Sequence, residues 1–243
     1  MNRDYVPGTE YILMQEGGLF KATSDSLILT SFVKSGDRLL DLGCGNGILS
    51  LRLINRWKEI YGVDINNKVL NLFRESLKVN NLEDRIKIFN EDILNLREIF
   101  EPRFFDAIVF NPPYFNFIEP KGSIERARHS QNLQKFIEII SYLIKDRGDV
   151  TIIFPTNRMA EIIYYFTETG LKIKDIIAIK PRDTKPARHF ILRARREANF
   201  GNFYREFIVH KGLGLSEEME RAIKNEVLLW FIFAQHQLEI WKT

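Results

Sequence analysis

Apolar residues along this chain follow two spacings, and the two take turns. Short apolar runs bounded by polar residues predict strands at Arg38–Leu42, Glu59–Asp64, Arg85–Phe89, Phe105–Phe110 and Val150–Phe154. Between them, apolar residues recur every three or four positions. That spacing predicts helices over 24–33, Ile48–Trp57, Asn66–Asn80, Gln131–Lys145 and Arg158–Thr169. The helix Asn66–Asn80 gathers Val69, Leu70, Phe73 and Leu77 on one face, and Gln131–Lys145 carries Phe136, Ile139, Ile140 and Leu143. Thr23 or Ser24 is placed to cap the first helix, and Gly170 to end the last. Three more strand-like runs close the pattern: Leu171–Ile179, Ala187–Arg195 and Tyr204–His210. Strands alternating with helices predict an α/β fold with a doubly wound, mostly parallel sheet. The late runs, with few helices between them, predict an antiparallel edge.

Composition narrows the class. The chain has 243 residues, 45% hydrophobic, with 35 basic against 32 acidic side chains. That suits one large domain, or one domain with an appendage, and excludes a disordered chain. We expect one large domain over 1–215 and a C-terminal helical extension over 216–243. The run "EVLLWFIFAQHQLEIW" in that extension is too short to span a bilayer and is expected to pack on the domain or pair with a second copy. The start, "MNRDYVPGTEYILMQ", is not a signal peptide. One cysteine, Cys44, leaves no internal disulfide, and four scattered histidines do not make a metal site. These features point to a cytoplasmic protein with no membrane contact, as a monomer or homodimer.

Candidate chemistry sits at the predicted strand ends. "LLDLGCGNGILSL" is strand, glycine loop, helix, with Gly43, Gly45 and Gly47 in the bend and Asp41 in the strand before it. The spacing is G-x-G-x-G, not the dinucleotide G-x-G-x-x-G. An acid at Asp41 repels a pyrophosphate but suits a cation. S-adenosylmethionine fits, since it carries a sulfonium and an ammonium and no phosphate. Asp64 ends the second strand, where a carboxylate can take both ribose hydroxyls. Asp92 follows the third strand and is placed to accept from an adenine amine. Successive acids at strand ends mark the ligand crevice of an open α/β sheet.

The fourth strand ends in "FNPPYF", with Asn111, Pro112, Pro113 and Tyr114. A planar exocyclic amine is a poor nucleophile because its lone pair is delocalised. The Asn111 amide oxygen and the Pro112 carbonyl can accept its two hydrogens and aim the lone pair at a methyl donor. The paired prolines hold that carbonyl in place before substrate arrives. Tyr114 can stack on a base.

"DLGCGNG", "GVDIN", "NEDI" and "VFNPPYF" look like the motifs of class I adenine- or glutamine-amide methyltransferases. "GGLFKATSDSLILTSFV", "ERARHS" and "KPARHFILRA", in that order, narrow the likeness. Over about residues 11–210 the chain resembles the bacterial family that methylates N6 of the adenosine beside the anticodon of a valine tRNA. That resemblance implies a Rossmann-like, seven-stranded fold. It implies S-adenosylmethionine as cofactor, held by Asp41, Gly43, Gly45, Asp64, Asp92 and Asn111, with Thr23 against it. It implies tRNA as substrate and Asn111–Tyr114 as the base grip.

Charge agrees with a nucleic-acid substrate. Residues 180–196 hold seven Lys or Arg and one Asp, a local +6, against +3 for the whole chain. Lys185, Arg188, Arg193, Arg195 and Arg196 are the candidate RNA contacts there. Lys121, Arg126, Arg128 and His129 form a second cluster. Three other functions use parts of the same pattern. One is methylation of a protein glutamine amide, whose family usually carries a helical N-terminal domain; here only 40 residues precede Asp41. Another is methylation of an rRNA base amine. The last is a non-catalytic module that binds S-adenosylmethionine or RNA.

Overall fold

The computed structural model describes residues 2–16, 23–112 and 123–229, without the side chains of 123–132. Pro113, Tyr114, Lys121 and the run 230–243 lie outside the described residues, as do the side chains of Arg126, Arg128 and His129. An N-terminal hairpin comes first, β1 (Asn2–Tyr5) paired antiparallel with β2 (Ile12–Gln15). Then follow α1 (Ser24–Ser31), β3 (Gly36–Leu42), α2 (Ile48–Leu53), β4 (Trp57–Asp64), α3 (Asn67–Asn80) and β5 (Ile86–Asn90). The middle of the chain forms α4 (Leu96–Ile99), β6 (Phe105–Phe110), α5 (Ser123–Leu143), β7 (Ile144–Pro155) and α6 (Met159–Glu168). It closes with β8 (Leu171–Arg182), β9 (His189–Arg196), β10 (Phe203–Lys211), β11 (Gly214–Leu215) and α7 (Glu217–Ile223).

The main sheet runs β11-β10-β8-β9-β7-β6-β3-β4-β5. Strands β3 to β7 are mutually parallel. β9 runs antiparallel between β7 and β8, and β10 lies parallel to β8. The two-residue β11 finishes that edge antiparallel. The mostly parallel sheet with an antiparallel edge is as the sequence predicts, but it has nine strands among the described residues, not seven. The first helix turn and the sheet begin where polar caps allow. The Thr23 hydroxyl accepts from the Ser26 N–H at the start of α1, and the Asn66 side chain accepts from the Lys68 N–H at the start of α3.

Successive strand residues face opposite sides of the sheet, so each face builds its own core. Leu39, Ile60, Val109 and Ile191 pack beneath α1, α2, α3 and α7, with Phe32 and Phe73 fully buried. Leu40, Val63, Ile108 and Leu192 pack on the other face against α5 and α6. Asp41 follows the alternation and points to the first face with Leu39, toward α2.

The expected helix Ile48–Trp57 is shorter than its apolar spacing suggests. It ends at Leu53, passes through a tight turn at Ile54–Arg56 and becomes β4 at Trp57. Trp57 pairs across to Gly36, and a side chain at Gly36 would collide with the indole ring at 2.5 Å. Burial of Trp57 therefore outweighs helix propensity there.

Two arginines tie Pro7 and the segment 222–225 onto this core. The fully buried Arg52 of α2 donates from its guanidinium to the carbonyls of Pro7, Ala222 and Ile223 and to the Thr30 hydroxyl. Burial pulls its pKa down to about 10. Arg56 donates to the carbonyls of Val33 and Thr30 and to the Asn225 side chain. The Leu228 N–H reaches the Ser31 carbonyl, and Leu228 and Leu229 are buried. Residues 216–229 thus pack into the first core. Among the described residues no helix is long and apolar enough to cross a membrane.

Candidate functional site

The carboxyl ends of β3, β4, β5 and β6 meet along one rim of the sheet. After β3 the backbone enters the left-handed region at Gly43 (φ 61°), Gly45 (φ 55°) and Gly47 (φ 85°). Glycine reaches that region without penalty. At Gly47 there is a second constraint. A Cβ there would stand 2.1 Å from the Phe73 ring. The loop is stitched to β4: the Cys44 N–H donates to Val63 O at 3.0 Å, and the Gly45 N–H donates to Asp64 Oδ2 at 2.9 Å. Asp64 Oδ1 accepts from the Asn66 N–H at 2.8 Å. Each carboxylate oxygen keeps a further lone pair for a ligand hydroxyl. Cys44 is buried, and burial first, then the neighbouring Asp41 and Asp64 charges, pushes its thiol well above the ordinary range. It stays protonated and is no nucleophile.

Asp41 lies directly beneath this loop, fully buried. Its Oδ2 accepts from the Ser50 hydroxyl at 2.6 Å, while Oδ1 has no hydrogen-bond partner among the described residues. Burial raises its pKa to about 7, opposed by the Ser50 hydrogen bonds and reinforced by the charge of Asp64. An orphaned carboxylate oxygen under a positive-φ glycine loop fits a cationic ligand. The donor set therefore suits S-adenosylmethionine: Asp41 supplies negative field, Asp64 supplies hydroxyl acceptors, and the loop supplies close backbone approach.

At β5, Asn90 Nδ2 donates to the carbonyls of Asp64 and Ile65 at 3.0 Å each, which ties the ends of β4 and β5 together. Asp92 Oδ1 caps the next turn by accepting from the Leu94 N–H at 2.9 Å. Ile65, which the sequence reasoning passed over, is 69% exposed beside Asp64. An apolar side chain directly after a strand-end acid was the available signal, and it offers a flat base an apolar surface.

At β6, Asn111 is half-buried and donates from Nδ2 to Ser26 Oγ at 3.1 Å. Ser26 Oγ in turn lies 3.2 Å from the Thr23 hydroxyl. Pro112 follows and is buried. Phe110, one residue before Asn111, would be 3.6 Å from a Cβ at Gly43, which places the end of β6 against the glycine loop. Thr23, Asp41, Gly43, Gly45, Asp64, Asp92 and Asn111 are thus brought to one rim.

The basic residues divide. Pro155, at the carboxyl end of β7, pairs with His189, so Arg188 and the turn holding Lys185 lie at the site end, and both side chains are exposed. β9 then runs away from the site. Arg195 pairs with Asp149 near the other end of β7, about 20 Å away for six residues of strand. Arg193 donates to Asp175, and Arg195 makes a two-pronged bond to Asp149 at 2.8 and 3.0 Å. Arg196 donates to Asp146 and to the Ser141 carbonyl. The structure does not bring Arg193, Arg195 and Arg196 to the site, and it commits their charges to carboxylates.

A glycine loop after the first parallel strand, acids at the ends of the next two and Asn-Pro at the end of the fourth define an S-adenosylmethionine-dependent methyltransferase. A family model described as a methyltransferase domain matches residues 33–180, and the chain belongs to that family. It is similar to a tRNA1(Val) (adenine(37)-N6)-methyltransferase of Dyadobacter fermentans, 25% identical over 77% of this chain and 80% of that protein. A protein of the same name from Vibrio campbellii is 24% identical over 83% of this chain and 86% of its own length. Among solved structures, a predicted O-methyltransferase from Agrobacterium tumefaciens shares the fold, with a TM-score of 0.67 at 18% identity, over 83% of this chain and 96% of that one.

Proposed function

We propose that this protein methylates N6 of an adenosine in tRNA, in the cytoplasm, with the adenosine beside the anticodon of tRNA(Val) as its target. The observation that carries the proposal is the position of Asn111 and Pro112 at the end of β6, against the glycine loop. The relatives named for that reaction supply the substrate.

S-adenosylmethionine, when bound, supplies an electrophilic methyl on a positively charged sulfur. The chain's own residues do the rest. Asp41 would supply negative field to the positive end through the glycine loop, Asp64 would take the ribose hydroxyls, and Ile65 would offer the cofactor's base an apolar surface. Asn111 Oδ1 and the Pro112 carbonyl accept the two hydrogens of the target amine, which turns its lone pair out of conjugation. No strong base is required, because the proton leaves to water after transfer. Tyr114 stacks on the extruded base. An unpaired anticodon-loop adenosine costs little to extrude. Lys185 and Arg188 stand at the site end to meet phosphates, and Arg126 and Arg128 belong to the same proposal.

The test is transfer of labelled methyl to total tRNA lacking the modification, followed by nucleoside analysis. Labelled N6-methyladenosine in tRNA(Val) is the expected result. Label confined to rRNA or to a protein glutamine would overturn the proposed substrate. Cofactor binding without transfer to any of these would overturn the enzymatic role.

A further inference from the structure

We infer that Ser26 is a positioning residue, whose hydroxyl selects which end of the Asn111 amide faces the substrate. The inference rests on Asn111 being the acceptor for the target amine.

A carboxamide has an oxygen that only accepts and a nitrogen that only donates, and the two ends are nearly the same size. Turned the wrong way, Asn111 would present N–H to a substrate amine that itself needs an acceptor. Something in the fold must therefore distinguish the ends. In the structure Asn111 Nδ2 donates to Ser26 Oγ at 3.1 Å. A serine hydroxyl both donates and accepts, so that contact alone leaves the choice open. Thr23 resolves it. Its Oγ1 lies 3.2 Å from Ser26 Oγ, and it already accepts from the Ser26 N–H at 3.3 Å as the cap of α1. The amino end of a helix carries partial positive charge, which favours oxygen lone pairs directed at it. Thr23 Oγ1 accordingly accepts both the N–H and the O–H of Ser26. The Ser26 oxygen is then left as an acceptor, and Asn111 turns its NH2 group toward it.

The polarity runs in one direction, from Asn111 N–H to Ser26, and from Ser26 O–H to Thr23. The helix cap thereby aims Asn111 Oδ1 away from α1. Ser26 is only 4% exposed, so water does not compete for its hydroxyl. The same turn of α1 is tied to the site rim a second time by Asp25, whose carboxylate lies 3.5 Å from His189 Nδ1. The cap is therefore fixed relative to both β6 and β9.

The experiment is single-turnover methylation of unmodified tRNA at saturating cofactor, with cofactor affinity measured separately by calorimetry. Ser26→Ala should slow transfer about 3- to 10-fold, the worth of one neutral hydrogen bond, with cofactor affinity unchanged. Ser26→Thr keeps the hydroxyl and should restore the rate. The deciding variant pair uses Asn111→Asp, whose two carboxylate oxygens are both acceptors, so its orientation no longer matters. In that background Ser26→Ala should cost less than twofold. An equal cost of Ser26→Ala in both backgrounds, or no recovery with Ser26→Thr, would overturn the inference and leave Ser26 as a packing residue. Asn111→Ala separates this from the parent proposal. Normal transfer by Asn111→Ala sinks the acceptor role itself, whereas loss of transfer there with full activity of Ser26→Ala sinks only the positioning role.

Discussion

Cofactor binding should release a proton, and the proton should come from Asp41. Its carboxyl is fully buried and its pKa stands at about 7, so near neutral pH the unliganded protein is a mixture of the acid and the anion. The shift from 3.8 is roughly three pH units, so burying the bare anion costs about 4 kcal/mol. The sign follows from linkage. A folded-state pKa above the unfolded value means the folded protein holds the proton more tightly. Stability of the unliganded protein therefore falls as pH rises from about 4 to about 7, and then levels. A cationic ligand placed above Asp41 favours the anion and reverses part of that cost. If binding requires the anion, the competent fraction rises from about 9% at pH 6 to about 91% at pH 8, so affinity should rise about tenfold. At pH 7 about half a proton should leave per ligand bound. Calorimetric titration with S-adenosylmethionine, in buffers of different ionisation enthalpy, measures both quantities. Asp41→Asn is the control, since it cannot release the proton and any titration of the ligand itself persists. A wild-type affinity that is flat between pH 6 and 8, or an identical slope in Asp41→Asn, would refute the reasoning.

Three further outcomes follow from other parts of the molecule. Gly47→Ala should lower stability by about 2–4 kcal/mol, from left-handed strain and from the clash with Phe73, read as a shift in the urea midpoint; an unchanged midpoint would show that the loop relaxes freely. Asp149→Asn should cost about 3 kcal/mol, because it strips a nearly buried partner from Arg195, Arg193 and Lys34, while methyl transfer at 25 °C persists since the pair lies at the far end of the sheet. Burial alone would raise the Asp149 pKa, but the Arg195 hydrogen bond and the Arg193 and Lys34 charges lower it on balance. Its contribution is therefore present above the unfolded carboxylate pKa and is lost as pH falls through the folded value, so wild type and variant should converge in acid. Lys185→Glu with Arg188→Glu should weaken tRNA binding and flatten its salt dependence, while Arg195→Gln should leave that salt slope unchanged; equal effects would return the far end of β9 to the RNA contact surface.

Much of the sheet was legible because its strands obey local rules. Leu39 and Leu40 go to opposite faces by alternation alone, and Gly43, Gly45 and Gly47 announce a bend that only glycine tolerates. The strand-end acids followed from the same logic, since a parallel sheet brings equivalent ends together. Three things were not legible. The pairing of β1 with β2 depends on contacts to α3, such as the Met14 N–H donating to the Ser76 hydroxyl, which no local pattern reveals. Seven cations within 180–196 look like one patch when counted along the chain. An antiparallel strand carries them from one end of the sheet to the other, and neighbouring acids absorb the distant ones. Ser26 was invisible because a serine in a helix turn carries no signal until the fold sets Asn111 beside it.

The role of Arg52 bears on when the protein becomes competent during synthesis. Its guanidinium gathers carbonyls from Pro7, near the start of the chain, and from Ala222 and Ile223, near the end of the described residues, onto the helix that begins at the glycine loop. On the ribosome, the loop and all its acids emerge long before residue 222. Until then Arg52 has the Pro7 carbonyl and the Thr30 hydroxyl but lacks the Ala222 and Ile223 carbonyls, and a guanidinium left partly unsatisfied in that position is costly. Nascent chains ending before α7 should therefore have a sheet without a settled ligand loop, and should bind cofactor only after the last helix docks. Cofactor protection of stalled chains against limited proteolysis, measured as a function of chain length, would locate that threshold; protection of chains ending before Ser216 would contradict it. The order of synthesis would thus withhold the methyl donor until α7 has emerged and docked.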